Sequence, residues 1–285
     1  VSASATLTCD VCPHGCRLAE GQAGGCRARG LRDGRVVPLA YGRLTSLALD
    51  PVEKKPLARW EPGGWLLSAG SYGCNLHCPF CQNHAIAQAG ESDVGWRHVS
   101  PEELVALALD ARARQPRTVG IAHTYNEPLT SWEYVRDVGI LAHEAGLANV
   151  LVSNGCANAP VIDALAPLLD AANIDLKGFT ADYYRWCGGA ATAFDTVCAC
   201  IERLAAEPGC HLEVTCLVVP GHNDAPDEMR SLSTWLAGVD PDITLHVTRY
   251  FPRWRMSGAP TPISTVHALA DVAREALPHV RIGNC

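Results

Sequence analysis

Residues 63–285 alternate short apolar runs with longer stretches of helical character. The runs are Trp65–Ala69, Val119–Thr124, Asn149–Ser153, Ala171–Leu176, Leu212–Val219 and Ile243–Thr248. They are short and rich in Val, Ile and Leu, as strands buried on both faces are. Six strands separated by helices predict a parallel α/β sheet. Strand order is not encoded in this pattern, which suits a partial barrel, a full barrel or a doubly wound sheet.

The helical stretches carry their own signals. Ser100 precedes Pro101, and Glu103 completes a capping box. Leu104, Leu107, Ala108 and Ala111 then line one face. Further helices are expected over Pro160–Leu169, after Asp224 (with Leu232, Trp235 and Leu236 apolar) and over Ser264–Leu277. Residues 1–62 differ: they are rich in Gly, Arg and Cys and show little periodicity. The chain thus divides into a Cys-rich N-terminal segment, 1–62, and an α/β core domain, 63–285.

Composition narrows the function. Hydrophobic residues make up 48% and charged residues 19%, enough for a sizeable core. The net charge of −7 gives no even basic spread for nucleic acid, which leaves room only for a local basic patch, and no apolar run is long enough for a membrane span. Val1–Thr8 lacks the basic-then-apolar pattern of a secretory leader, so a cytoplasmic location is expected. Fourteen cysteines are unusual for such a chain, and seven of them fall in two tight groups. Outside an oxidising compartment, grouped cysteines read first as metal ligands.

The segment Gly70-Ser-Tyr-Gly-Cys74-Asn-Leu-His-Cys78-Pro-Phe-Cys81 follows the first strand with the spacing C-x3-C-x2-C. Zinc usually takes four protein ligands. Three thiolates on one loop suit a [4Fe-4S] cluster with one iron left open for a chelating substrate. The plainer reading is a structural metal knuckle.

The spacing, with Phe80 before the last cysteine, resembles the radical S-adenosylmethionine (SAM) signature. That resemblance implies a [4Fe-4S] cluster on Cys74, Cys78 and Cys81, and SAM chelated by the open iron. Reductive cleavage then yields a 5′-deoxyadenosyl radical that abstracts hydrogen from substrate. It implies that Phe80 lies beside the adenine. It also implies that the His123-Thr124-Tyr125-Asn126-Glu127-Pro128 segment grips the SAM amino group, and that Asp175 and Lys177 lie near its methionyl end. Ser153 and Asn154 complete the expected SAM contacts. These motifs fall at successive strand ends, where α/β sheets place their sites. Each has a plainer reading too: Asn154-Gly155 as a turn, Glu127-Pro128 as a helix start, Asp175 and Lys177 as a surface ion pair.

Over residues 9–284 the chain resembles the radical SAM protein of the AmmeMemoRadiSam system, a relative of pyruvate formate-lyase activating enzymes. The telling stretches are Cys9-Asp-Val-Cys12-Pro-His-Gly-Cys16, Asp50-Pro-Val-Glu-Lys-Lys-Pro56-Leu57, Gly73–Asn83, Thr124–Pro128, Ile174–Phe179 and Val219–Asp224. The resemblance implies a partial (β/α)6 TIM-like barrel with a small Cys-rich N-terminal extension. It also implies an electron donor such as flavodoxin or ferredoxin. Relatives often continue beyond this chain's Cys285 into a tail with a further cysteine pair.

Cys9-x2-Cys12-x3-Cys16-x9-Cys26 offers a second set of four thiols, read as zinc, as an auxiliary iron–sulfur cluster or as free thiols. Cys156 is a candidate hydrogen-atom donor. Cys187, Cys198, Cys200 and Cys210 read as small buried hydrophobes. His123 and His246 are candidates to face the cavity. The substrate is a small molecule or a partner protein. One version is a glycyl-radical activating enzyme, although Gln82–His98 lacks the ferredoxin-like cysteines such activases often carry. A reading from another class is a non-catalytic electron-transfer or zinc-binding protein, which would not cleave SAM.

Overall fold

A computed structural model describes residues 6–285. Val1–Ala5, part of the segment read for a leader, lie outside the described residues. The main sheet has eight strands: β1 Ser46–Pro51, β2 Trp65–Gly70, β3 Thr118–His123, β4 Ala148–Ser153, β5 Ala171–Asp175, β6 His211–Val218, β7 Thr244–Arg249 and β8 Val280–Gly283. They lie side by side in chain order. β2 through β8 are parallel, and β1 adds antiparallel to the edge of β2. Among the described residues the two edge strands do not pair with each other, so the sheet is an open, TIM-like partial barrel.

All six expected strands occur, each within one residue at either end. Strand β1 lies in the segment that the sequence reading gave to the Cys-rich extension. It and β8 are edge strands with mixed burial, and so carry no apolar run of their own. The helices of six residues or more are α1 Pro101–Arg114, α2 Trp132–Glu144, α3 Ala159–Leu165, α4 Ala181–Trp186, α5 Ala193–Ala205, α6 Pro226–Val239 and α7 Ile263–Arg274, and a single turn, His84–Ala87, follows the cysteine loop. At the start of α1 the Ser100 side chain accepts from Glu103 N at 3.2 Å, as the capping pattern requires. The helix expected over Pro160–Leu169 is shorter: Pro167 turns its end into a 3-10 turn, Ala166–Leu168.

Period-two alternation sends one set of strand side chains to the helices and the other into the barrel. Leu67, Ala69 and Ile121 face outward against Leu104, Ala108 and Val138 of α1 and α2. Leu66, Ala122, Val150 and Ala171 face inward. A strap, residues 52–61, crosses the barrel at the end from which β2 to β8 start, and buries Val52 and Leu57 against that inner layer. It also satisfies inward polar groups. Asn173 Nδ2 donates to Pro56 O at 2.8 Å, and Arg59 N donates to Glu213 Oε1 at 2.8 Å. A buried polar group left without such a partner would cost about 1–3 kcal/mol.

His246 faces the interior, where its Nε2 lies 2.5 Å from Glu213 Oε2. His123 does not. Its ring meets Tyr134 of α2 edge-on at 6.2 Å, in the layer between sheet and helices. It ends β3 at a position whose side chain points outward, one residue after inward-facing Ala122.

The N-terminal segment packs on the open end of the barrel near the β2 loop. It is built from short paired strands, Leu7–Thr8 with Arg17–Leu18 and Arg29–Arg32 with Arg35–Pro38. Arg29 anchors it by a two-pronged ion pair with Glu133 of α2, both contacts 2.8 Å.

Candidate functional site

The Cys74–Cys81 loop leaves the carboxyl end of β2, and the adjoining strand ends close around it. Gly73 opens the turn at φ +85, a conformation glycine adopts freely. A Cβ there would stand 2.5 Å from Cys26 O, so the turn also presses against the N-terminal segment. Cys74 N donates to that same carbonyl at 3.2 Å. The two cysteine groups are therefore tied together through backbone.

The three loop thiols are buried or half-buried. Cys74 Sγ accepts from Leu76 N at 3.3 Å and lies 3.6 Å from Asn154 Nδ2. Burial, together with Glu127, raises its thiol well above the usual value. Cys78 is the exception. A hydrogen bond from the Cys187 thiol lowers it, outweighing burial, and Cys187 rises correspondingly. Lys177 acts in the same direction on Cys78. Burial opposes the charge on Lys177, but Asp175, 2.6 Å away, and Cys78 outweigh it and keep the ammonium protonated.

Glu127 is buried at the end of β3 and clamps the end of β4. Its Oε1 accepts from Leu129 N at 3.0 Å and Ser153 Oγ at 2.7 Å, and its Oε2 accepts from Asn154 N at 2.8 Å. Burial raises its carboxyl, and these bonds offset part of that rise. Asn154 Nδ2 reaches Asn75 Oδ1 at 2.9 Å, and Asn75 Nδ2 donates to Cys156 O at 2.6 Å. Asn126 Oδ1 accepts from Ser71 N at 2.9 Å, and its Nδ2 donates to Tyr72 O at 3.1 Å. Glu127, Ser153, Asn154 and Asn126 thus hold the loop as one network with the cysteines. Asp175 keeps part of its carboxylate open to solvent.

Tyr125 turns the other way. It sits at φ +74, and its hydroxyl donates to Asp50 Oδ2 at 2.5 Å inside the barrel. Lys55, only 3% exposed, lies 2.9 Å from the same oxygen and 4.6 Å over the Tyr125 ring. Burial works against the Asp50 charge, yet Tyr125 and Lys55 hold its carboxyl well below the usual range. Sequence reasoning quoted the Asp50–Leu57 stretch without giving it a role. Its two polar ends meet only when the strap is in place.

Phe80 lies among aromatics, 5.5 Å from Trp186 and 6.5 Å from Tyr183 between ring centroids. Cys156 is fully buried, and burial raises its thiol. Of the cysteines read as small hydrophobes, Cys187 and Cys200 are buried, while Cys198 and Cys210 are only half-buried. The bond from Cys187 to Cys78 carried no sequence signal. Cys216, buried on β6, also escaped notice.

The second group forms a wall. Cys9, Cys12, Cys16 and Cys26 line one enclosed cavity of about 10 Å³ together with His14, Arg29, Asn75 and Thr130. Burial pushes the Cys12 thiol up to about 11 and raises Cys26 as well. Among the described residues, no group of three or more His, Cys, Asp or Glu side chains stands ready to hold a single metal ion. A four-iron cubane spreads its thiolates wider than one ion does, so the Cys74–Cys78–Cys81 set remains a fit by donor chemistry: three thiols on one loop, one with a lowered thiol, beside a cationic lysine.

Comparison with known proteins bears on this loop. A profile of the radical SAM superfamily matches residues 69–232, from the end of β2 into α6. An uncharacterized protein of Methanocaldococcus jannaschii is 35% identical over 281 residues, covering 98% of this chain and 81% of that protein. A radical SAM methyltransferase from Sphaerobacter thermophilus superposes with a TM-score of 0.56 at 17% identity, covering 78% of this chain and 69% of its own. Streptococcus suis SuiB bound to S-adenosylmethionine superposes with a TM-score of 0.56 at 10% identity, covering 75% of this chain and 48% of its own. At these identities the structures share a fold with this chain.

Proposed function

Because the chain belongs to the radical SAM superfamily, we propose that it cleaves S-adenosylmethionine reductively and directs the resulting 5′-deoxyadenosyl radical to a hydrogen of a small molecule or partner protein. The observation that carries this reading is the convergence on the Cys74–Cys78–Cys81 loop of polar groups from three further strand ends: Glu127, Asn154 and Lys177.

Cys74, Cys78 and Cys81 would hold a [4Fe-4S] cluster, which supplies one electron to the sulfonium and an iron site for its amino and carboxylate groups. The chain's own residues do the positioning. Cys187 donates a hydrogen bond to Cys78 and favours its thiolate. Lys177 places a permanent positive charge beside the same sulfur. Glu127 fixes Asn154, which aims its amide at Cys74. Phe80, with Tyr183 and Trp186 tilted against it, offers an apolar aromatic surface for a base. Asp175, with Asn126 and Ser153 nearby in the loop network, supplies polar contact for the methionyl end.

The reading extends to the AmmeMemoRadiSam group and its kinship with pyruvate formate-lyase activating enzymes, on the motifs quoted above. It takes residues 63–285 as the core domain and 1–62 as a metal-binding extension, and it places the chain in the cytoplasm with its fourteen free thiols reduced. Metal binding by Cys9, Cys12, Cys16 and Cys26 is supported by their shared cavity and by the small, Gly-rich fold around it. Cys156 is held as the hydrogen-donor candidate.

The test is to reconstitute the protein anaerobically, reduce it, add SAM and measure 5′-deoxyadenosine. Release that disappears in Cys78→Ala supports the reading. No release with an intact cluster signal removes it. Iron and zinc content after joint replacement of the four N-terminal cysteines tests the second set, and unchanged metal content removes that part.

A further inference from the structure

Residues 243–270 contain no Asp or Glu, in a chain whose net charge is −7. The same stretch carries Arg249, Arg253 and Arg255. The structure gathers these cations beside the Cys74–Cys81 loop.

After β7 the chain forms a loop closed at its neck. Thr261 N donates to Tyr250 O at 3.2 Å, Arg249 Nε donates to Thr261 O at 2.7 Å, and Thr261 Oγ1 donates to Val218 O at 2.6 Å. Residues 251–260 project from that neck as an Ω-type loop. The tip reaches the cysteine loop, where Arg255 N donates to Pro79 O at 3.0 Å, between Cys78 and Cys81. Trp254 stacks on His84 at 5.7 Å with an interplanar angle of 11°. His84 Nδ1 in turn lies 3.2 Å from Cys81 O. Arg255 lies 4.2 Å over the Trp254 ring, and Arg249 lies 4.8 Å over Phe251. Arg253 and Arg255 are exposed, and Phe251 is 42% exposed. None of the three arginines has an acidic partner among the described residues. A cationic rim around an exposed Phe251 and a half-buried Trp254 is the composition of a protein-binding patch.

We propose that the 251–260 loop is the docking surface for an acidic one-electron carrier protein. The proposal rests on the function proposed above, because that chemistry needs an external electron. One electron leaves the carrier and one enters the iron–sulfur site, with no bond made or broken. The patch touches the backbone of the cysteine loop directly at Pro79 O and reaches Cys81 O through the stacked His84 ring, so a carrier seated there lies against the loop that bears the ligating sulfurs. Two arginines on a ten-residue loop, with Arg249 at its neck, suit a small, salt-sensitive encounter of the electron-transfer kind. A nucleic acid would need many more cations to offset its phosphates and this chain's own negative charge.

The experiment uses the reconstituted protein and an acidic flavodoxin. Calorimetric titration is run at ionic strengths of about 0.01 M and about 0.15 M. The parent should bind the flavodoxin, and more weakly at the higher salt. The double variant Arg253→Glu with Arg255→Glu should bind at least tenfold more weakly at low salt. Its 5′-deoxyadenosine release should fall with flavodoxin as donor and stay at the parent's level with dithionite. Unchanged flavodoxin affinity overturns the docking site. So does an equal loss with both reductants, which would assign the loop to substrate chemistry, and so does binding of a single-stranded oligonucleotide in place of flavodoxin. If the parent fails to cleave SAM even with dithionite, the enzymatic reading has failed, while the titration still decides the docking surface.

Discussion

Glu127 Oε1 accepts the Ser153 hydroxyl at 2.7 Å, so a buried carboxylate bolts the end of β3 to the end of β4. The same carboxylate holds Asn154 N, and Asn154 reaches both Asn75 and Cys74. The geometry of the cysteine loop therefore depends on a group that does not itself touch a cysteine through a hydrogen bond.

Glu127→Gln puts an NH2 group where a backbone N–H or a hydroxyl now donates. A buried mismatch of this kind costs about 1–3 kcal/mol. The expected outcome is a lower denaturation midpoint together with weaker SAM binding. A variant as stable as the parent would show that the clamp carries no strain-bearing role.

Cys78→Ala should lose the visible absorbance and most of the iron of the reconstituted protein. Cys187→Ala should keep the iron but make its uptake more sensitive to pH, because the hydrogen bond that favours the Cys78 thiolate is gone. Iron content across a pH series separates the two. Loss of the cluster in both variants would make Cys187 a ligand rather than a partner of one.

His123 is buried without a partner on Nε2, and burial lowers its pKa from 6.5 to about 4. The unfolded chain binds its proton first as pH falls. The stabilising contribution is therefore complete above about pH 6.5 and is lost between pH 6.5 and 4, on the order of 3 kcal/mol. Melting temperature across that window should fall in the parent, and His123→Leu should flatten the fall. Identical pH profiles would exclude His123 as its source.

Gly73→Ala forces a β-carbon into a left-handed turn and against Cys26 O. The expected cost is about 1–3 kcal/mol. The N-terminal segment should also become easier to cleave by protease, since the contact that breaks joins it to the cysteine loop. Unchanged proteolysis would show that the other ties, Arg29–Glu133 and Asn158 N to Val11 O among them, hold the segment without it.

The strand runs, the cap at Ser100 and the spacing of Cys74, Cys78 and Cys81 were legible in the sequence. Each is local: burial on two faces shows as an apolar run, a cap as a residue pair, and a ligating loop as spacing. The edge strands β1 and β8 were not legible, because their pairing comes from neighbours far away in the chain. The direction of His123 depends on which face of β3 meets α2, and a one-residue change of phase inverts it.

The amino-acid order by itself determined an α/β chain with three thiols on the loop after its first parallel strand, and it placed Glu127, Asn154, Asp175 and Lys177 at strand ends. Only the tertiary structure decided that the sheet stays open, that the 52–61 strap fills its base, that Cys187 serves Cys78, and that a carboxylate-free loop folds onto Pro79 and His84. The first set consists of properties of short windows, in which chain geometry fixes each side chain relative to its neighbours. The second consists of contacts between segments separated by tens of residues or more, where burial and long-range hydrogen bonding select the partner.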